Sequence, residues 1–81
     1  QGVSLMLQRE ILGQRIAGLR AENSLSQATL GAALGVTKAT ISRIESADRL
    51  VSLDLLLALA DYFQVSIDYL FGRTDIRDIN C

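Results

Sequence analysis

The sequence contains no histidine, no proline and no tryptophan, and its single cysteine is the last residue, Cys81. Each absence narrows the field. Without histidine, neither a zinc site built from His and Cys nor a Ser-His or Cys-His nucleophile pair is available. With one cysteine there is no internal disulfide, and a reducing, cytoplasmic setting is expected. The longest apolar run, Leu55 to Ala60, is six residues, far short of a membrane span. No charged-then-apolar signal opens the chain. No glycine-rich phosphate loop is present, and the five aspartates after residue 51 are scattered like solvated surface rather than clustered like an acid–base or metal site. The expectation is a non-enzymatic chain with no cofactor, no metal and no evident small-molecule ligand.

What is present is aliphatic. Of 81 residues, 49% are hydrophobic and only 5% aromatic, so the core must be made of Leu, Ile, Val and Ala. Such a core suits packed helices better than a twisted sheet. The length allows one domain with one core. The formal charge of −1 conceals a division. Residues 1–51 carry a balance of +2 and residues 52–81 a balance of −3, so one end can face phosphate while the other faces away.

The apolar spacing predicts a first helix over 8–22, with Leu12, Ile16 and Leu19 inward. Asn23-Ser24 forms a polar turn, and Ser26 caps a short second helix that stops at Gly35. Thr37 caps a third helix, 38–46. Ser52 caps a fourth, 53–63, whose inward residues are expected to include Leu53, Leu56, Leu57 and Ala60. Ser66 caps a fifth, 67–71, closed by Gly72. Four capping hydroxyls stand before four apolar-periodic segments, which is the agreement between local and global pattern that an all-α, five-helix bundle requires. Residues 1–7 are set aside as an N-terminal extension (a tag-cleavage remnant is one reading of Gln1-Gly2). Residues 8–72 form the domain, and 73–81 a polar, loose tail.

The stretch from Gln27 to Ser46 carries the functional information. A helix-turn-helix crosses two short helices steeply through a tight turn. Gly31 supplies a small residue where the helices pass closest, and Gly35 supplies a turn position that accepts positive φ. Leu30, Leu34, Val36, Ile41 and Ile44 lie under the crossing. Winding the third helix at about 100° per residue sets Ile41 and Ile44 on one side, with Ala39, Ser42, Arg43 and Ser46 opposite and Lys38 and Thr40 at the border. That outer face has no acid, since Glu45 falls on the inner flank. It suits a duplex chemically. Arg43 can donate in parallel to guanine O6 and N7, Thr40 and Ser42 can bond bases or phosphates, and the methyl of Ala39 or Thr40 can touch thymine. Thr37, Gln27 and the two helix N-termini can bind phosphate oxygens.

These residues resemble the phage repressor and Cro-type (XRE-like) helix-turn-helix family. The likeness runs from about Ile11 to Gly72 through Arg15-Ile16, Leu19-Arg20, Leu25-Ser26-Gln27, Leu30-Gly31, Leu34-Gly35-Val36-Thr37-Lys38, Ile41-Ser42-Arg43-Ile44-Glu45, Leu59-Ala60, Phe63 and Val65 to Leu70. The resemblance implies a lambda repressor-like domain that binds double-stranded operator DNA, commonly as a homodimer on an inverted repeat. It implies that Lys38, Ala39, Thr40 and Arg43 face bases and that Thr37, Ser42 and Ser46 approach phosphates. Gln27 would contact the DNA backbone and brace the third helix, and Arg20 with Glu45 would tie that helix to the first. Two departures stand out: Ala47 where glycine is frequent, and Val51 where proline is frequent. The 46–51 loop is therefore expected to take its own path, with Asp48 weakening its phosphate affinity and Arg49 restoring some of it.

The resulting expectation is a sequence-specific transcriptional regulator, a repressor of bacterial or phage origin. An antitoxin or restriction-controller protein would use the same domain. A helical protein-interaction module, drawing on Tyr62, Tyr69 and Phe71, is the competing reading. Because a monomer with so few cations binds DNA weakly, pairing of half-sites is expected, with Tyr69, Phe71, Ile76 and Ile79 as the candidate dimer surface. Cys81 is compatible with a truncation point before a further domain.

Overall fold

The computed structural model describes residues 5–48 and 51–77, with side chains from Leu7 onward. Five helices follow in order: α1 Leu5–Glu22, α2 Gln27–Leu34, α3 Lys38–Glu45, α4 Leu53–Phe63 and α5 Ile67–Leu70. No strand occurs among the described residues, so the all-α expectation holds. The first helix begins at Leu5 rather than residue 8, and so runs through the boundary drawn between extension and domain.

The helix starts follow the sequence closely. Ser26, Thr37, Ser52 and Ser66 each adopt an extended conformation, and each side-chain oxygen accepts from the backbone N–H three residues on. That satisfies one of the N–H groups a helix leaves unpaired at its start.

The helix ends share one device. At each, the residue in a left-handed conformation donates back to one carbonyl while its successor donates to the carbonyl five positions before it, the Schellman arrangement. For α3 the bonds are Ala47 N–H to the Ile44 carbonyl at 3.1 Å and Asp48 N–H to the Arg43 carbonyl at 2.8 Å. For α1 they are Ser24 to Ala21 and Leu25 to Arg20, both at 3.0 Å. Gly35, as expected, takes the left-handed position after α2 (φ +75°). Ser24, Ala47 and Gln64 take it elsewhere, with φ of 55°, 66° and 56°, at a steric cost that only glycine avoids.

The core is the aliphatic cluster Leu12, Ile16, Leu19, Leu30, Ile41, Ile44, Leu56, Leu59, Ala60, Val65 and Leu70. One expectation about α4 fails. Leu53 and Leu57 point outward, 66% and 48% exposed, while Leu56, Leu59 and Ala60 are buried, with Leu55 and Phe63 packed beside them. Leucine at 53, 55, 56, 57 and 59 makes several stripes equally plausible by spacing alone. The packed one turns Leu59, fully buried, and Phe63 inward.

The segment after α5 is also not loose as far as residue 77. Arg15 donates to the Tyr69 and Thr74 carbonyls, both at 3.1 Å, and to Asp75 at 2.9 Å. Ser66 N–H bonds the Arg77 carbonyl at 2.9 Å, and Arg77 grips Glu22 with two bonds of 2.8 and 2.7 Å. The Tyr69 ring lies against both guanidinium groups, with Arg15 Cζ 4.1 Å and Arg77 Cζ 5.3 Å from its centroid. Residues 73–77 thus strap α5 to α1.

Candidate nucleic-acid interface

The third helix is short, so its outward chemistry depends on what anchors its inward side. Ile41 and Ile44 are buried at 0% and 2% exposure and fasten it to the core. Lys38, Ala39, Ser42, Arg43 and Ser46 are exposed, and Thr40 is half-buried. The structure therefore brings the expected readers onto one face. Ser46 belongs to the helix end rather than to its body, and its hydroxyl is directed toward Asp48 Oδ2 at 3.2 Å and the Arg43 carbonyl at 3.3 Å. Thr37, at the helix start, has its hydroxyl 3.1 Å from the Thr40 N–H and 3.0 Å from Thr40 Oγ1. Arg49 lies outside the described residues.

Glu45 lies on the inner flank and joins three helices. Arg20 donates to it twice, Nε to Oε2 at 2.7 Å and Nη2 to Oε1 at 3.0 Å, and Gln27 Nε2 donates to Oε1 at 3.0 Å. Arg20 also donates to the Leu25 carbonyl at 2.9 Å. The carboxylate beside it raises the Arg20 pKa, chiefly through these hydrogen bonds. The Glu45 side chain is 9% exposed and Arg20 22%, so the pair is largely desolvated, where fixed geometry counts for more than at an open surface. Gln27 holds the first position of α2 while bracing α3.

The turn needs Gly31 for space as well as Gly35 for φ. A Cβ at Gly31 would sit 2.9 Å from the Val36 carbonyl oxygen and 3.1 Å from the Thr37 carbonyl group. A second close approach escaped the sequence reading. A Cβ at Gly13 would sit 2.6 Å from the carbonyl oxygens of both Ile44 and Glu45. The available signal was a glycine inside a helix, where it weakens the helix relative to alanine.

The charge division needs correction. Arg15, counted among the cations able to face phosphate, is engaged inside the fold, as is Arg20 in the tie to Glu45 that the resemblance implies. Lys38 and Arg43 are exposed and form no ion pair among the described residues. Among the described residues of the N-terminal part, the exposed cations are thus those of α3.

The proposed dimer surface also changes. Tyr69 is held by Arg15 and Arg77, and Phe71 packs against the core. Ile76 is 68% exposed, and Ile79 lies outside the described residues. Of the three aromatics offered for a protein-interaction module, only Tyr62, at 43%, is an exposed large side chain. A shallow apolar groove of about 370 Å³ lies between α4 and α5, lined by Leu57, Ala60, Val65 and Ile67 with Asp61 and Asp68. No described group of acids and cysteine could hold a metal ion, and no described helix is long and apolar enough to cross a membrane.

Comparison with known proteins bears on the same segment. The helix-turn-helix family model matches residues 16–70, the span from the α1 core residues to α5. The HTH-type transcriptional regulator YobD of Bacillus subtilis is 34% identical over 65 residues, covering 80% of this chain and 58% of that protein. The regulator PrpR of Mycobacterium tuberculosis is 30% identical over 69 residues, covering 85% of this chain but 14% of its own length. The chain thus spans little more than half of one curated relative and a small part of the other. The P22 c2 repressor, solved in complex with a synthetic operator, superposes with a TM-score of 0.70 at 37% identity, covering 73% of this chain and 89% of the repressor chain. On the partly buried tie between α1, α2 and α3, the glycine-bearing turn and these matches, the chain belongs to the phage repressor and Cro-type helix-turn-helix family.

Proposed function

We propose that this chain is the sequence-specific, double-stranded DNA-binding part of a cytoplasmic transcriptional regulator, a repressor, that lays α3 in the major groove. The observation that carries this reading is the asymmetry of α3. Its inner side is locked by Ile41, Ile44 and the Glu45 network, while its outer side offers Lys38, Ala39, Thr40, Ser42 and Arg43 with no acid among them. A helix held this firmly presents its side chains at low entropic cost on binding. Arg43 and Lys38 are the natural partners of guanine, and Ala39 with Thr40 keeps the N-terminal end small enough to lie close to base edges. Thr37, Ser42, Ser46 and Gln27 border the helix where phosphates would pass.

The two exposed cations of α3 support only weak binding by one copy, which favours a homodimer spanning an inverted repeat. The test is selection from random duplex DNA followed by a salt series. The selected site should be partly palindromic, and affinity should fall linearly on a logarithmic salt scale. Arg43→Ala should relax preference at one position per half-site and cost roughly 1–3 kcal/mol. Unchanged affinity and unchanged preference in that variant would remove α3 from the recognition role.

A further inference from the structure

We propose that Gly13 is a positioning residue for DNA recognition: the bare backbone of α1 at this point seats the last turn of α3 and sets how far Arg43 and Ser46 reach. The inference rests on the DNA-binding reading and extends it to a residue outside α2 and α3.

Gly13 is buried in the middle of α1. A methyl group there would meet the Ile44 and Glu45 carbonyl oxygens at 2.6 Å and the Glu45 carbonyl carbon at 2.9 Å. All three are backbone atoms, so no side chain can rotate away, and ordinary contact begins at 3.4 Å. The end of α3 would have to retreat by about 1 Å, beyond the roughly 0.5 Å within which a binding constellation keeps its geometry. The opposite end of α3 is held the same way by Gly31, against Val36 and Thr37. Two glycines on two different helices therefore seat the recognition helix at its two ends. Displacing only the Gly13 end moves Arg43 and Ser46 while Lys38 and Ala39 stay near their places.

Gly18 provides an internal control. It lies on the same helix, is exposed, and has nothing within 4 Å of the position its Cβ would take. Alanine is the better helix former, so Gly18→Ala should raise the melting temperature. Gly13→Ala, from the same chemical change, should lower it.

The test compares the wild-type chain, G13A and G18A, each with and without R43A, on the duplex the wild type selects. G18A is expected to bind like wild type. G13A, at a temperature where circular dichroism shows it folded, is expected to bind at least tenfold more weakly. In the G13A background, R43A should change affinity by less than twofold, because Arg43 is already displaced. If G13A alone does not fold, the G13A/G18A double variant, with its helix strengthened, takes its place. A folded G13A chain with wild-type affinity, or an R43A penalty equal in both backgrounds, overturns the proposal while leaving DNA binding intact. A wild-type chain that selects no duplex sinks the DNA-binding reading itself, and this inference with it.

Discussion

Removing the Glu45 carboxylate is the most informative perturbation of this fold. In Glu45→Ala, Arg20 loses two hydrogen bonds and Gln27 loses one, while the guanidinium stays in a site only 22% exposed. Losing one partner of a buried pair typically costs about 3–5 kcal/mol, because the other charge is left uncompensated. Here Arg20 keeps its bond to the Leu25 carbonyl and water reaches part of it, so the lower end applies. We expect a loss of about 2–4 kcal/mol. A domain of this size has a total stability of about 4–12 kcal/mol, and each kcal/mol moves its melting temperature by about 4–8 °C. A drop of about 8–32 °C follows in thermal denaturation, with urea denaturation giving the free-energy loss directly. The mechanism makes a second demand. In Arg20→Met combined with Glu45→Leu, neither charge remains to be desolvated, so the double variant should be more stable than Glu45→Ala alone. The reasoning fails if Glu45→Ala costs less than about 1 kcal/mol, the value of an open surface pair, or if the double variant is no more stable than the single one.

Three further expectations test other links. Ala47 closes α3 at φ 66°, so Ala47→Gly should add about 1 kcal/mol by relieving left-handed strain; a loss in urea denaturation would show that Ala47 sits there without strain. Leu59 is fully buried, so Leu59→Ala should cost about 2–5 kcal/mol, whereas Leu53→Ala, at a position 66% exposed, should change the urea midpoint little. The Arg77 hydrogen bonds hold the Glu22 carboxyl below its ordinary pKa. A depressed carboxylate pKa contributes stability above the unfolded value of about 4.3 that disappears as pH falls through the folded value. The melting-temperature gap between wild type and Glu22→Gln should therefore be largest near pH 7 and shrink progressively as pH falls below the ordinary carboxylate range. A gap that does not change with pH would assign it to something other than this ion pair.

How legible the fold was depended on whether a feature is local. The four capping hydroxyls, the Gly35 turn and the buried sides of α1 and α3 rest on nearest-neighbour geometry, and each stands where the residue pattern placed it. The end of α2 was readable because glycine occupies the left-handed position. The ends at Ser24, Ala47 and Gln64 carry no such mark, since their backbone hydrogen bonds impose the conformation on residues that do not favour it. The buried stripe of α4 differs from the expected one because leucines at adjacent positions satisfy several periodicities, and packing against neighbouring helices, α2 and α5 among them, selects one.

The composition and spacing of this chain were enough to establish an aliphatic five-helix domain, its helix starts, and an acid-free outer face on α3, because those follow from side-chain chemistry and a 100° helical step. Tertiary structure alone decided which cations remain for a partner. Arg15 looks available in the sequence, yet it is drawn inward by the Tyr69 and Thr74 carbonyls and the Asp75 carboxylate, whereas Lys38 and Arg43 stand exposed on α3 with no ion pair among the described residues. It also decided how α3 is seated, since the contact of Gly13 with the last turn of α3 joins two backbones some thirty residues apart. Pairings of that kind depend on where distant segments meet, and no local pattern encodes them.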